Sequence, residues 1–518
     1  MENIEINEQF EKALNQMENT SENVFITGKA GTGKSTLLDY FRNHTKKNVV
    51  VLAPTGVSAI NVKGQTIHSF FGFKPDISMD KVRKTKRADK KKLYLGIDAV
   101  IIDEISMVRA DLLDCVDKFM RLNCGKLRLS FGGKQMIFIG DLYQLPPVIK
   151  GIEKDIFRNK YETGYFFSAN AFKDIKMSLL ELEKIYRQKD EKFIEILNAI
   201  RNNTIDDILL GVLNSKSTPP MYRGEKDFFI YLTTLNAHAL KLNEERLIDI
   251  PGELHEFEGK IIGEFRQNDL PTENRLLLKI GAQVMLLNND SAGRWFNGTI
   301  GKVAGVKYPK KSGDAIITVE LIDGSRVEVK PYEWDLFRYD YNEQTGNLES
   351  NAIGSFVQYP LRLAWAITIH KSQGKTFDRV ILDIGKGAFS PGQVYVGLSR
   401  CVSLDNLILK QPILKNHIFT DWRVIDFLTK YQYKLANEKL PLEEKIKIIE
   451  KAILNKTDLE IVYLKKSDEK SRRIIRPRYV GEITYKDVLF TGVTAFCTKR
   501  QDLRTFHIDR ILEMKEVK

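Results

Sequence analysis

Gly28-Lys-Ala-Gly-Thr-Gly-Lys34-Ser35 is the stretch that decides the fold. It follows the apolar run Asn23-Val-Phe-Ile-Thr27 and precedes Thr36-Leu-Leu-Asp-Tyr40, so it reads as a strand, a glycine-rich turn and the start of a helix. The spacing G-x-x-x-x-G-K-[ST] is that of a phosphate-binding loop. Gly28, Ala30, Gly31, Thr32 and Gly33 let successive backbone N–H groups curl round an anion at the positive end of a helix. Lys34 offsets charge on the β- and γ-phosphates, Ser35 ligates Mg²⁺, and Thr36 completes the set. ATP and Mg²⁺ are therefore the expected ligands.

Working outward, Asn48-Val-Val-Val-Leu52, Asp98-Ala-Val-Ile-Ile102 and Gln135-Met-Ile-Phe-Ile139 are further buried-strand candidates separated by helical stretches. That alternation predicts a parallel α/β sheet with its loops at the strand ends. Asp103-Glu104 ends the third run, where an acidic pair faces a phosphate loop across the sheet. Asp103 is expected to hold Mg²⁺ through its water shell, and Glu104 to orient and deprotonate the attacking water. Gln9, 19 residues before Gly28, has two readings: a two-faced amide that selects adenine, or an exposed residue at a helix start.

The 518 residues exceed what one hydrophobic core organises, so several domains are expected. A second α/β unit appears in Phe228-Phe-Ile-Tyr-Leu232 and resumes at Arg379-Val-Ile-Leu-Asp383, split by an insertion over residues 251–355 that reads as a small β-barrel. A shorter insert at 74–92 carries a basic run, Lys81 to Lys92, read either as a DNA-facing loop or helix or as a disordered surface run. Net charge is +12, and residues 433–518 hold 20 Lys and Arg against 14 Asp and Glu, a net +6. That balance favours a polyanionic partner. No apolar run approaches the ~18 residues of a membrane span, and the acidic amphipathic start lacks an export signal, so a cytoplasmic location without membrane contact is expected. Cys115, Cys124, Cys401 and Cys497 form no zinc-ligand pattern.

Other stretches resemble the PIF-type family of superfamily-one helicases, with RecD-like enzymes next closest. Leu52-Ala-Pro-Thr-Gly-Val-Ser-Ala59, Gly64-Gln-Thr-Ile-His-Ser-Phe-Phe-Gly72 and Gly140-Asp-Leu-Tyr-Gln-Leu-Pro-Pro147 look like its motifs, as do Leu182-Glu-Lys-Ile-Tyr-Arg-Gln188, Ala366-Ile-Thr-Ile-His-Lys-Ser-Gln-Gly374 and Val394-Tyr-Val-Gly-Leu-Ser-Arg-Cys401. The resemblance implies two RecA-like domains, residues 1–185 and then 186–250 with 356–432, and makes the insertion SH3-like. It makes Gln144 the γ-phosphate sensor. Arg187 and Arg400 would reach ATP from the second domain, a guanidinium there being worth ~10³-fold in rate. It places Thr55, Gly56, His68, Ser69, Thr234, His370, Lys371 and Ser372 against a DNA backbone. Phe70 has two readings, base stacking or core packing.

Residues 433–518 read as a linker helix and a β-rich module that resembles a WYL (Sm-like) domain, carried by Arg504-Thr-Phe-His-Ile-Asp-Arg510-Ile511. The Trp-Tyr-Leu triplet is absent, Thr491-Gly-Val-Thr-Ala-Phe-Cys497 standing in its place. Arg472, Arg473, Arg476, Arg478, Arg504 and Arg510 are candidates for single-stranded nucleic acid, against a merely solubilising role. The resemblance implies an ATP-dependent 5′-to-3′ DNA helicase acting as a monomer on single-stranded DNA and tailed or forked duplex, with quadruplexes and RNA–DNA hybrids as further candidates. The rival readings are a translocase that strips bound proteins and an ATP-switched regulator.

Overall fold

The computed structural model describes residues 6–149, 157, 159–173, 175–217, 228–265, 267–309, 313–485 and 488–517. Two compact units emerge: residues 1–200 with 205–419, and residues 201–204 with 420–518. Among the described residues, no helix is long and apolar enough to cross a membrane.

The first unit begins with β1 (Asn23–Gly28), β2 (Val49–Ala53), β3 (Gln65–Thr66), β4 (Ala99–Ile102), β5 (Gln135–Ile139) and β6 (Met177–Leu182). They form one sheet in the order β3-β2-β4-β5-β1-β6, parallel throughout. Strands covered on both faces are apolar without alternation, which is why Val49-Val-Val-Leu52 and Gln135-Met-Ile-Phe-Ile139 could be read directly. Val24, Ile26, Val51, Ile101 and Ile137 pack with Leu37, Leu38 and Phe41 of the helix Lys34–His44. Because the strands run parallel, the carboxyl ends of β1, β5 and β4 lie along one edge. That edge presents Gly28, Gly140 and Asp103 side by side.

A second parallel sheet starts at β7 (Ile230–Thr233). The chain then leaves it for β8 (His255–Glu258), β9 (Lys260–Gly263), β10 (Arg275–Leu278), β11 (Gln283–Leu286), β12 (Ile300–Lys307), β13 (Ile316–Leu321), β14 (Arg326–Val329), β15 (Tyr332–Tyr341), β16 (Leu348–Gln358) and β17 (Leu361–Leu363). Five of these form an antiparallel sheet, β14-β13-β12-β11-β17, over a core of Val284, Trp295, Ile317, Val319 and Leu361. The inserted strands run on to Leu363 rather than stopping at 355, since β17 pairs back onto β11. β18 (Ala366–Thr368), β19 (Val380–Asp383) and β20 (Leu407–Leu409) complete the second sheet in the order β18-β7-β19-β20.

The hairpin β15–β16 reaches from the insertion to the first sheet. The Val51 N–H donates to the Tyr339 hydroxyl (3.0 Å), Asn48 Nδ2 to the Gly346 carbonyl (3.1 Å), and the Leu348 N–H to Asn48 Oδ1 (2.9 Å). β3 has only two residues, so the Val51 N–H has no strand partner on that side and the tyrosine hydroxyl supplies one.

The second unit holds the helices Trp422–Lys439 and Leu442–Asn455 and an antiparallel sheet. Its strands are β21 (Leu459–Leu464), β22 (Lys470–Tyr485), β23 (Val488–Cys497), β24 (Asp502–His507) and β25 (Ile511–Glu516), in the order β24-β23-β22-β21-β25. The expected boundary at 433 falls inside the first helix. The segment expected as a linker helix is core instead: Ile449 and Ala452 pack with Leu459, Ile461, Ile475 and Phe506. Buried Lys445 ties that helix to β25, donating to Asn437 Oδ1 (2.8 Å) and the Ile511 carbonyl (2.7 Å).

Tyr339→Phe strips the buried Val51 N–H of its acceptor. The expected cost is about 1–3 kcal/mol of the first unit's stability, read as a lowered urea midpoint; an unchanged midpoint would show that the bond contributes nothing net.

Candidate nucleotide site and nucleic-acid interface

The loop after β1 is shaped by two glycines at positive φ, Gly31 at +81° and Gly33 at +85°, the latter capping the helix Lys34–His44. Lys34 Nζ donates to the carbonyls of Gly28 (2.7 Å) and Lys29 (2.9 Å), which holds the ammonium over the loop. The loop opens on a cavity of about 520 Å³, lined by Phe10, Ala30 to Thr36, Glu104, Gln144, Tyr186, Arg187, Gly374, Thr376 and Arg400. Ser35 and Thr36 are exposed in it. Gln9 is not among the lining residues: its Oε1 accepts from the Glu183 N–H (2.8 Å). Its neighbour Phe10 forms the wall with Tyr186, an aromatic pair the sequence reading did not single out.

Asp103 and Glu104 follow β4 directly, Glu104 at φ +50°, a conformation that costs a non-glycine residue ~1 kcal/mol or more. Burial pushes both carboxyls above their usual range; the Glu104 charge adds to the rise at Asp103, while Lys34 pulls both down. Gln144 Nε2 donates to Asp141 Oδ2 (3.3 Å). Gln373 Nε2 donates to Glu104 Oε2 (3.0 Å) and to Gln144 Oε1 (3.3 Å). The Tyr395 hydroxyl accepts from the Ala30 N–H (3.0 Å) and faces Asp141 Oδ2 (3.5 Å). Sequence reasoning passed over Gln373, Tyr395 and Asp141, although all three stand inside motifs it quoted.

Arg187 lies just past β6, where the Tyr186 N–H donates to the Gly31 carbonyl (2.8 Å), so it rides on the first sheet rather than arriving from the second. Its guanidinium donates across the cleft to the Ser399 carbonyl (3.1 Å). Arg400 does come from the second sheet's side, after the helix Gln393–Leu398, and donates to the Val396 carbonyl (3.0 Å), the Lys375 carbonyl (3.3 Å) and Ser399 Oγ (2.9 Å). Burial, then the neighbouring Arg400 charge, lowers Arg187 to about 9; burial also lowers Arg400.

The nucleic-acid candidates divide. Thr55 caps the helix Gly56–Asn61 by accepting from the Ser58 N–H (3.2 Å), and Gly56 lies against the Asp269 carboxylate. His68 and Ser69 line a cleft facing Arg338 and Glu264, with Ser69 and Lys371 exposed. His370 stacks on Phe389 (6.4 Å between centroids). Phe70 takes its core reading: it is almost wholly buried and meets Phe71, Tyr94 and Tyr339 edge-on at 4.9, 5.6 and 6.0 Å. The expected backbone contacts of Ser372 and Thr234 are corrected. Ser372 is fully buried with its hydroxyl donated to the Ile369 carbonyl (2.7 Å), and Thr234 is nearly so. In the second unit Arg478 and Arg504 are exposed, Arg476 pairs with Asp458 (2.7 Å), and Arg473 lies over the Phe506 ring (5.9 Å). Arg510 is half-buried beside Tyr463 and Tyr433.

A phosphate loop and acidic pair on one parallel sheet, facing an arginine held beside another, define a two-sheet P-loop NTPase. Residues 3–209 match the PIF1-like helicase family and residues 444–516 the WYL domain. The human ATP-dependent DNA helicase PIF1 is 34% identical over 397 residues, 74% of this chain and 58% of that protein. The chain thus spans under three fifths of the length of its mammalian relatives. The structure of Bacteroides sp Pif1 in complex with ADP-AlF4 superposes with a TM-score of 0.76 at 36% identity, covering 83% of this chain and 98% of that one. Bacteroides Pif1 bound to ssDNA gives 0.60 at 37% identity and the same coverage. The chain belongs to the PIF1-like helicase family.

Gly31→Ala puts a methyl group at φ +81° against the Arg187 side chain. ATP affinity should fall by about tenfold or more in fluorescent-nucleotide titration. Wild-type affinity would mean that the loop has room to shift.

Proposed function

We propose that this chain is an ATP-dependent DNA helicase that moves 5′ to 3′ along single-stranded DNA and parts the duplex ahead of it. The observation that carries the reading is the composite cavity, in which the phosphate loop, Glu104 and Gln144 meet Arg400 from the second sheet's side. A site built from two bodies couples nucleotide turnover to their relative movement. Lys34 and the loop amides bind the phosphates, Glu104 takes the proton from the attacking water, and Arg187 and Arg400 stabilise charge on the transferring phosphoryl group. Mg²⁺ supplies further positive charge beside those phosphates; the exposed Ser35 hydroxyl and the Asp103 carboxyl are the groups that would hold it.

The strand is proposed to run past Thr55, Gly56, His68, Ser69, His370 and Lys371, backbone contacts that carry no base specificity. The WYL module is proposed to hold single strands through Arg478 and Arg504. The similarity to ATP-dependent DNA helicases, and to Bacteroides Pif1 bound to ssDNA, supports the substrate class.

Strand separation on duplexes with either a 5′ or a 3′ single-stranded tail tests the reading. Unwinding confined to the 5′ tail is expected; preference for the 3′ tail rejects the direction, and hydrolysis without unwinding favours a translocase. Glu104→Gln should keep ATP binding while lowering kcat by about 10²-fold or more, and an unchanged kcat would remove Glu104 as the base.

A further inference from the structure

The turn after β18 carries two kinds of residue. His370 and Lys371 belong to the proposed strand path, and Gln373 reaches the other way, into the nucleotide cavity's acidic end. The turn is tightly wound: the Ser372 N–H donates to the Thr368 carbonyl (3.0 Å), Gln373 N–H to His370 (3.3 Å) and Lys375 N–H to Ser372 (3.0 Å). The buried Ser372 hydroxyl pins it again through the Ile369 carbonyl (2.7 Å). A turn so bonded moves as one piece, so a displacement at Lys371 is a displacement at Gln373.

The Gln373 amide has two N–H donors, and both acceptors within reach belong to hydrolysis: Glu104 Oε2 at 3.0 Å and Gln144 Oε1 at 3.3 Å. Gln144 passes the connection on to Asp141 Oδ2 at 3.3 Å. The bond to Glu104 has the ordinary N–H···O length, whereas the two at 3.3 Å are longer than usual, so a small shift of the turn weakens the Gln144 contacts first and re-aims the amide on Glu104. Glu104 itself stands at φ +50°, its carboxylate bonded by Gln373 and lying in the field of Lys34 and Arg400.

We propose that Gln373 is the positioning residue through which a strand held at His370 and Lys371 sets the aim of the Glu104 carboxylate, so that single-stranded nucleic acid governs the hydrolysis rate. This rests on the reading of the chain as an ATP-dependent DNA helicase, whose hydrolysis a bound strand would stimulate. A merely cohesive amide between the two sheets would change stability and leave the stimulation untouched.

The test is steady-state ATP hydrolysis by the full chain with and without an oligothymidylate, for the wild type, Gln373→Ala and Gln373→Asn. In Gln373→Ala the ratio of stimulated to basal kcat should fall by about tenfold, with KM for ATP and oligonucleotide affinity within about twofold of wild type. Gln373→Asn keeps the donor but is one methylene short, and should lose part of the ratio; it also serves if the alanine variant folds poorly. A wild-type ratio in both variants, or a loss that only tracks weaker oligonucleotide binding, overturns the proposal. A wild type that is not stimulated at all sinks the underlying reading, and this one with it.

Discussion

Two guanidiniums face one cleft, Arg400 fully buried and Arg187 half-buried, and neither has a carboxylate ion pair among the described residues. Burying an unpaired charge costs several kcal/mol, and two like charges compound it. The carbonyls of Ser399, Val396 and Lys375 offset part of that cost by pointing their dipoles inward. The remainder is a standing attraction for a polyanion. Lys34 adds a third positive charge, its ammonium held over the loop by the Gly28 and Lys29 carbonyls. The cleft is a preorganised socket for negative charge, and the apposition of the two sheets is the condition for it.

The same constraint explains the crowding at the acidic end. Glu104 turns through positive φ so that its carboxylate enters the cavity while Asp103 stays at the strand end. That turn brings Ile105 against the end of β5, where a Cβ on Gly140 would lie 3.0 Å from Ile105 Cγ2 and 3.1 Å from its nitrogen. The glycine opening the Gly140-Asp-Leu-Tyr-Gln segment is thus a packing requirement of the strained acidic pair. Asp141 and Gln144 then follow on the far side of the same turn.

Legibility in the sequence followed burial. Strands buried on both faces, such as β2 and β5, are unbroken apolar runs and were plain. β6 was not: it is the sheet's edge, its middle residues are half-exposed, and Ser178 and Glu181 interrupt it. β18 and β20 have three residues each, too few for any pattern. Within the site, groups fixed by spacing were readable: Lys34, Ser35, Glu104 and Arg400 all line or adjoin the cavity. Gln9 and Phe10 are successive residues of one helix, and the i, i+3, i+7 series Phe10, Ala13, Met17 already said which of them faces inward. Ser372 shows the opposite limit: a hydroxyl that closes a turn and one that contacts a phosphate have the same sequence signature. Gln373 and Tyr395 escaped because their partners come from the other sheet.

The insertion leaves the second sheet after β7 and returns to it at β18, yet its hairpin is fastened to the first sheet at Val51 and Asn48. Within this unit a single element therefore grips both halves of the cleft. Movement of the sheets must carry the hairpin along or release it. The fastening includes the Tyr339 bond, the Asn48 pair with Gly346 and Leu348, the Tyr339 N–H donated to Gln65 Oε1, partly exposed ion pairs of Lys90 with Asp340 and Lys92 with Glu343, and the buried Tyr339 ring against Phe70. At about 1 kcal/mol for each hydrogen bond and less for such surface pairs, the polar contacts alone amount to a few kcal/mol. That is well within what a tightly bound nucleotide can redistribute. The hairpin thus holds the arrangement of the two sheets through one buried ring and a set of individually weak polar bonds.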